Sequence, residues 1–287
     1  MKRSSIAIVG AGRLGSALAV QLKATGYRLS EIVCRSERTS KRRAQLLARR
    51  VGAVAVTIEQ ASLSSNIVWF CVPDARIAAA AQHFAGRSWS GKVALHSSGV
   101  LASDALGMLR KQGASVGSAH PLMTFVAGSS PDLKGVPFAI EGDRVAAQAA
   151  VRIAGELGST PFTISAEVKP AYHAFATMIC PLLVALLAAS EEAAGLAEVS
   201  ASKARRRMLP ILRQTIANYE RFGPARAFTG PFVRGDAETI RLHLEVLSRV
   251  PEVLDAYKSL GKAALKFLPH RNAAKIRAML RRGRSRS

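Results

Sequence analysis

A glycine-rich turn near the start of the chain constrains the fold most. Gly10 to Gly15 (Gly-Ala-Gly-Arg-Leu-Gly) follows an apolar run, Ser5 to Val9, and opens a segment with helical spacing, Arg13 to Ala24. In that context the glycines permit a tight turn, the approach of a pyrophosphate and close packing of helix on strand. The pattern favours a dinucleotide site over a glycine turn without a ligand. Five residues of the turn are assigned to the cofactor: Gly10, Gly12, Arg13, Leu14 and Gly15.

Strand-like and helix-like segments alternate along the chain up to about residue 163. Apolar runs with little alternation, such as Asn66 to Val72, are typical of parallel strands buried on both faces. Beyond that point only helical spacing remains. We therefore predict an α/β Rossmann domain with a mostly parallel, doubly wound sheet at 1–163, an all-α domain at 164–270 and a frayed basic tail at 271–287.

Two further features bear on location. The longest uncharged stretch, Pro170 to Ser190, contains His173 and Pro181, and it predicts a buried helix rather than a membrane span. The three cysteines are widely spaced without a CxxC pair, which favours reduced, buried thiols over a disulfide or zinc framework. No secretory signal is evident. The sequence thus predicts a cytoplasmic protein with no metal site.

The charge is strongly basic, with a formal net charge of +22. Basic surfaces attract phosphorylated ligands, nucleic acid or anionic membranes. Residues 201–287 carry 20 basic and 6 acidic residues, but no aromatic residues interleave the arginine clusters as in a stacking platform. Solvated helix faces are the favoured interpretation, and nucleic-acid binding through the basic tail is the alternative.

The end of the second predicted strand indicates which cofactor binds. NAD-binding chains usually place an acidic residue there for the ribose 2′-OH, whereas this chain has Cys-Arg-Ser-Glu-Arg from Cys34 to Arg38. Arginine suits a 2′-phosphate because its planar fork makes paired hydrogen bonds. We therefore predict NADP(H), held by Arg35, Ser36 and Arg38. Val72 and Pro73 end the fourth strand on the nicotinamide side, and Asp74 next to them is equally well explained as a helix N-cap.

Hydride transfer also requires a group that protonates the product. Three segments offer candidates: His96 to Gly99 and His120 to Phe125, both at strand ends, and the pair Lys169 and His173, spaced i,i+4 on one helix face. The alternatives are a capped turn, a histidine in a domain interface and a solvated first helical turn. Four residues are assigned to catalysis: Ser98, His120, Lys169 and His173. His96 is assigned to the substrate.

A fourth segment, Thr229 to Asp236, contains a Thr-Gly-Pro turn. Arg234 is expected to clamp a substrate carboxylate, and the alternative is a surface pair between Arg234 and Asp236. Asp236 is also placed to cap the helix that follows.

Together these segments, with the fourth extended to His243, resemble bacterial proteins that join a Rossmann-like NADP-binding domain to a helical C-terminal domain of unknown function. That group is similar to pyrroline-5-carboxylate reductase, ketopantoate reductase and the 6-phosphogluconate dehydrogenase superfamily. The resemblance implies a homodimer with packed helical domains, an active site between domains, and contact of Thr229 and Gly230 with the nicotinamide bound to the partner subunit. Ketopantoate reductases use a lysine on the first helix of this domain, which Lys169 matches by location. Relatives often carry an Asn where this chain has Pro181.

Three functions follow from these features. The favoured one is an NADP(H)-dependent reductase of a small carbonyl or imine substrate, including a 2-keto acid. The second is a non-catalytic NADP(H) sensor or scaffold, which the presence of Pro181 in place of Asn favours. The third is a polyanion-binding protein that uses its basic C-terminal region.

Overall fold

The structure, a computed structural model, describes residues 4–129 and 131–281. Packing divides the chain into two compact units, Met1–Thr177 and Met178–Ser287, called unit 1 and unit 2 below. The last strand ends at Thr163, where the sequence predicts the change to helices. Unit 1 nevertheless extends beyond the predicted boundary, because Lys169 ties the next helix to the sheet.

Unit 1 is built on one eight-stranded sheet in the order β3-β2-β1-β4-β5-β6-β7-β8. Its strands are β1 (Ser5–Val9), β2 (Arg28–Cys34), β3 (Val54–Thr57), β4 (Ile67–Phe70), β5 (Val93–His96), β6 (Ser115–Pro121), β7 (Pro137–Gly142) and β8 (Thr160–Thr163). All neighbours are parallel except β6 and β7. The predicted mostly parallel α/β fold is confirmed. The sequence did not predict β8, which is only four residues long and contains Pro161.

Helices cover both faces of this sheet. They are α1 (Arg13–Ala24), α2 (Arg38–Val51), α3 (Asp74–Gln82), α4 (Gly107–Lys111) and α5 (Arg144–Glu156). Successive strand residues point to opposite faces. Ile8 and Trp69 therefore join a core with residues of α1, α2 and α5, whereas Val9 and Phe70 join a second core with residues of α3 and α4.

The apolar stretch Pro170 to Ser190 forms two helices, α6 (Lys169–Ile179) and α7 (Pro181–Gly195). Cys180 separates them with φ −120° and ψ −83°, and Pro181 opens α7, where its missing N–H costs no hydrogen bond. Lys169 is the one buried residue of α6, and none of the fifteen residues of α7, all of them described, is buried. The prediction of a buried helix is therefore wrong. By length and composition residues 166–195 pass as a membrane-spanning segment.

Unit 2 is helical throughout its described part. After α7 come α8 (Ala201–Ala227), α9 (Pro231–Arg234), α10 (Ala237–Leu247), α11 (Pro251–Phe267) and α12 (Ala274–Arg281). The helix α12 corrects the predicted frayed tail at 271–287, because Ile276 and Leu280 are buried in a core with Ile240 and Leu265. Residues 282–287 lie outside the described part of the chain.

Candidate active site

The glycine turn joins β1 to α1 and requires its glycines. Gly10 has φ +108°, and a Cβ there would lie 2.6 Å from the carbonyl oxygen of Cys71. A Cβ on Gly15 would overlap the carbonyl oxygen of Gly10. Gly12 is the N-cap of α1 and supplies no side-chain cap, so the first N–H groups of α1, from Arg13 and Leu14 onward, are available to an anion.

A cavity of about 390 Å³ lies beside this turn. It is lined by the glycine loop and by the ends of β2 and β4. Of the residues predicted to bind the cofactor, Gly10, Gly12, Arg35, Val72 and Pro73 line it. The cavity is also lined by four polar residues that the sequence reasoning missed: Ser40, Arg43, Arg76 and His83.

The other residues assigned to the cofactor have different positions. Arg13, Leu14, Gly15, Ser36 and Arg38 are not among the residues that line the cavity. The Ser36 hydroxyl donates to Glu59 Oε2 at 3.2 Å, and exposed Arg35 pairs with Glu37 at 3.0 Å. The helical period of α2 was the missed signal, because Ser40 and Arg43 lie three residues apart on one face.

Asp74 is the first residue of α3, whose N-cap is Pro73. The alternative interpretation of Asp74 as an N-cap is therefore not what the structure shows. Burial lowers the pKa of both His96 and Lys169, and the Asp74 carboxylate lies close enough to oppose that shift in each of them.

The segment from His96 to Ala102 forms a tightly bonded loop after β5. The His96 ring is fully buried, its Nε2 donates to the Ala102 carbonyl at 3.0 Å, and its Nδ1 accepts from the Ser98 N–H at 3.1 Å. Burial is the main cause that lowers the pKa of His96 to about 4. Ser98 Oγ accepts from the N–H groups of Val100 and Leu101. Both side chains thus act within the turn, as the capped-turn alternative describes.

Lys169 is completely buried, which excludes the alternative of a solvated first turn. Its Nζ donates to the Ser98 carbonyl at 3.1 Å and to Ser118 Oγ at 2.7 Å. Burial lowers the pKa of Lys169, and the carboxylates of Glu141 and Asp74 oppose that shift. The ammonium therefore joins the β5 loop, β6 and α6 at one point.

Three partly exposed aromatic rings, those of His120, Tyr172 and His173, complete the polar cluster that Lys169 and the β5 loop begin. His120, on β6, lies 3.1 Å through Nδ1 from the Tyr172 hydroxyl, and its ring is edge-on to both Tyr172 and His173. A Cβ on Gly99 would lie 2.9 Å from His120 Nε2 and 2.5 Å from His173 Cδ2, so both rings pack against this glycine. Burial is the main cause that lowers the pKa of His120 to about 4, and the proximity of Lys169 and His173 contributes to the same shift.

The structure thus brings together Ser98, His120, Lys169 and His173, which lie far apart in the sequence. Tyr172 is a member that the sequence reasoning missed, since its position between Lys169 and His173 gave no signal of its own. Thr229, Gly230 and Arg234 belong to unit 2, where Gly230 is the N-cap of α9. Asp236 caps α10 as predicted, accepting from Thr239 N–H at 3.1 Å.

Two family models match the chain. Residues 1–121 match a Rossmann-like domain, and residues 136–264 match a domain of unknown function, DUF2520. The chain therefore combines a Rossmann-like domain with a C-terminal domain of the DUF2520 family, which confirms the predicted resemblance. A comparison with curated protein sequences gives no match.

Solved structures share this fold over most of the chain. A protein from Bacteroides fragilis described as an NADP oxidoreductase is 24% identical with a TM-score of 0.75, covering 91% of this chain and 97% of its own. An imine reductase from a Pseudomonas species is 20% identical with a TM-score of 0.63, covering 97% and 100%. A reductive aminase from Aspergillus terreus, in complex with NADPH and ethyl-5-oxohexanoate, is 17% identical with a TM-score of 0.65, covering 97% and 100%. These likenesses establish a common fold.

Proposed function

We propose that the chain is a cytoplasmic NADP(H)-dependent reductase of a small molecule with a C=O or C=N bond, 2-keto acids included. One observation carries this proposal: three arginines line the cavity beside the glycine loop, and no Asp or Glu among the described residues does. Arginines suit a ribose 2′-phosphate, whereas NAD sites usually offer a carboxylate. The solved structures with this fold include imine reductases and an NADPH complex, which supports the same choice.

The residues of the cavity fit such a dinucleotide. The glycine turn leaves no Cβ in the way of a pyrophosphate, and α1 directs unpaired N–H groups toward it. Arg35 and Arg43 follow β2, where the 2′-phosphate of NADP(H) is held in Rossmann domains. When bound, the reduced nicotinamide supplies a hydride to an electrophilic carbon.

The polar cluster at the ends of β5 and β6 is assigned to the substrate, because ligands of open α/β sheets bind at the carboxyl ends of the strands. His120, Tyr172 and His173 are its partly exposed members, and we assign contact with the substrate to the two histidines. Lys169 and Ser98 are buried, so we assign them an indirect role. The Lys169 ammonium donates to the Ser98 carbonyl and thereby holds the loop after β5, which we expect to contact the substrate.

Titration with NADPH and with NADH, followed by nicotinamide fluorescence, tests the cofactor assignment. Arg35→Ala and Arg43→Ala should each weaken NADPH binding about tenfold or more, because a hydrogen bond to a charged group is worth about 1.5–3 kcal/mol, and should spare NADH. Arg38→Ala is the matched control, since Arg38 does not line the cavity. Equal losses for both cofactors, or a larger effect of Arg38→Ala, would contradict the proposal. Tight binding without turnover of any carbonyl or imine would favour the sensor function.

A homodimer is the second part of the proposal. The exposed large apolar side chains of α7 and α8 include Leu182, Val184, Leu186, Leu209, Ile211 and Ile216. An uncovered apolar surface of this extent on a chain with a reductase fold is typical of a subunit interface. A second copy of the chain is the cover that an isologous dimer provides.

A further inference from the structure

The strongest feature that the proposed function leaves unexplained is the pairing of His120 with Tyr172. The Tyr172 hydroxyl lies 3.1 Å from His120 Nδ1, and the two rings meet edge-on at 87° with their centroids 5.6 Å apart. Phe162 packs edge-on against the Tyr172 ring, with 6.1 Å between the ring centroids. The phenol is therefore held in place against a single nitrogen of the imidazole.

A hydroxyl can donate or accept, so the distance alone does not show whether Tyr172 or His120 donates this hydrogen bond. In His96 the answer is fixed, since a carbonyl oxygen accepts from Nε2 and an N–H donates to Nδ1. For His120 the chemistry of the partners decides. An imidazole nitrogen is much more basic than a phenol oxygen, and a phenol O–H is much more acidic than an imidazole N–H, so the phenol is the better donor. The hydrogen bond made by one ring nitrogen sets the protonation of the other.

The charge state of both groups agrees with this direction. Burial raises the pKa of Tyr172 to about 12, so the phenol keeps its proton at neutral pH. Burial, Lys169 and His173 lower the pKa of His120 to about 4, so the imidazole is neutral and carries one N–H. The edge of the ring that bears Nε2 packs against Gly99, where a Cβ would lie 2.9 Å from Nε2, and the His120 side chain as a whole is partly exposed.

We propose that Tyr172 donates to Nδ1 of His120 and thereby fixes the tautomer in which Nε2 carries the proton, and that His120 offers this N–H to the substrate. This inference rests on the proposed function for its consequence. A neutral N–H donor requires a lone pair on the substrate, which a carbonyl oxygen or a neutral imine nitrogen has and an iminium nitrogen lacks. The substrate class is therefore a carbonyl compound or an unprotonated imine, and Tyr172 is a positioning residue.

The chain contains a matched control for this pair. In unit 2 the Tyr257 hydroxyl lies 2.8 Å from His243 Nδ1, with the rings edge-on at 90° and 5.8 Å between centroids. Tyr172→Phe and Tyr257→Phe therefore remove the same atom from two pairs of nearly the same geometry. Only the first pair belongs to the polar cluster of unit 1.

The first test needs neither cofactor nor substrate. Two-bond ¹H–¹⁵N correlation spectra of the full chain, labelled with ¹⁵N-histidine, separate the tautomers of its six histidines. His120→Gln identifies the His120 signals. At neutral pH we expect His120 as the Nε2–H tautomer, and Tyr172→Phe should convert a measurable fraction of it to the Nδ1–H form while Tyr257→Phe leaves it unchanged. An Nδ1–H tautomer in the unmodified chain, or no response to Tyr172→Phe, would overturn the assignment.

The second test addresses the substrate class with 2-methyl-1-pyrroline, a cyclic imine that titrates, and a ketone of similar size. The kcat/KM for the imine should rise with pH in step with its unprotonated fraction, and Tyr172→Phe should lower kcat/KM about tenfold for both probes while Tyr257→Phe changes it less than twofold. A kcat/KM that follows the protonated imine would overturn the substrate class. Absence of turnover together with the expected tautomer would overturn the proposed function and leave the tautomer assignment standing.

Discussion

The two units of this chain bury their side chains in different ways. In unit 1 the central strands β1 and β4 are almost wholly enclosed by helices on both faces. In unit 2 the apolar sequence of α7 is left without a buried residue, and α8 buries only Ala204. The nine buried polar or charged side chains among the described residues, His96 and Lys169 included, all belong to unit 1.

This difference separates what each unit contributes. Unit 1 holds both the cavity beside the glycine turn and the polar cluster. Its buried polar groups are satisfied within the unit, as with the three hydrogen bonds that Glu31 accepts from Ser62 and Leu63. Unit 2 has two small cores around α10–α12 and an uncovered apolar surface. Its stability is therefore expected to depend on a partner, and that of unit 1 is not.

The largest effect is expected from a core substitution in unit 1. Phe70 is fully buried, so Phe70→Ala should lower the free energy of unfolding by about 3–5 kcal/mol. Phe267 in unit 2 is 72% exposed, and Phe267→Ala should change the free energy of unfolding by less than about 0.5 kcal/mol. Urea unfolding followed by fluorescence isolates unit 1, because both tryptophans, Trp69 and Trp89, are buried there, and circular dichroism reports the helices of both units. Equal costs for the two substitutions would remove the contrast between the units.

A smaller but related effect is expected for association. Leu182→Asp combined with Ile211→Asp should weaken the proposed dimer about a thousandfold, if each of the two substitutions costs about 2 kcal/mol per dimer. Val145→Asp places the same charge on an exposed apolar position of unit 1 and should leave association unchanged. Sedimentation equilibrium measures the dissociation constants. A monomeric unmodified chain would refute the dimer, and a chain dispersed only by detergent would show that lipid covers α7.

The same contrast explains how far the sequence could predict this molecule. The order of strands and helices was predictable because burial on both faces leaves a local pattern, as in Ile67–Phe70, and the glycine turn has a fixed spacing. The exposure of α7 was not predictable, since an apolar run in the sequence looks the same whether or not its own chain buries it. The helix α12 was obscured because Ile276 and Leu280 are surrounded by arginine and lysine.

For the polar cluster the limit was different. The sequence identified His96, His120, Lys169 and His173 as polar residues at strand or helix ends, but their roles depend on which atoms they meet across the fold. Lys169 is enclosed by Ser98 and Ser118, and neither partner is adjacent to it in sequence. Such contacts between distant segments leave no periodic signal.

The smallest of the three effects is expected in acid, and it should arise in unit 1. The pKa of His96 is lowered from 6.5 to about 4 by burial, so between these values the unfolded chain binds a proton that the folded chain does not. The contribution of neutral His96 to stability is therefore complete above about pH 6.5 and is lost as the pH falls toward 4. The loss amounts to about 3 kcal/mol, at 1.36 kcal/mol for each unit of pKa.

Urea unfolding of unit 1 at several values of pH, followed by tryptophan fluorescence, measures this slope. His96→Gln should reduce it, because the variant has no imidazole at that position to protonate on unfolding. Phe70→Leu lowers the stability of unit 1 by another route and should keep the full slope, which separates proton uptake from general destabilisation. If His96→Gln kept the slope of the unmodified chain, the acid sensitivity would have to come from another group, of which His120, with its pKa also lowered to about 4, is the first to test.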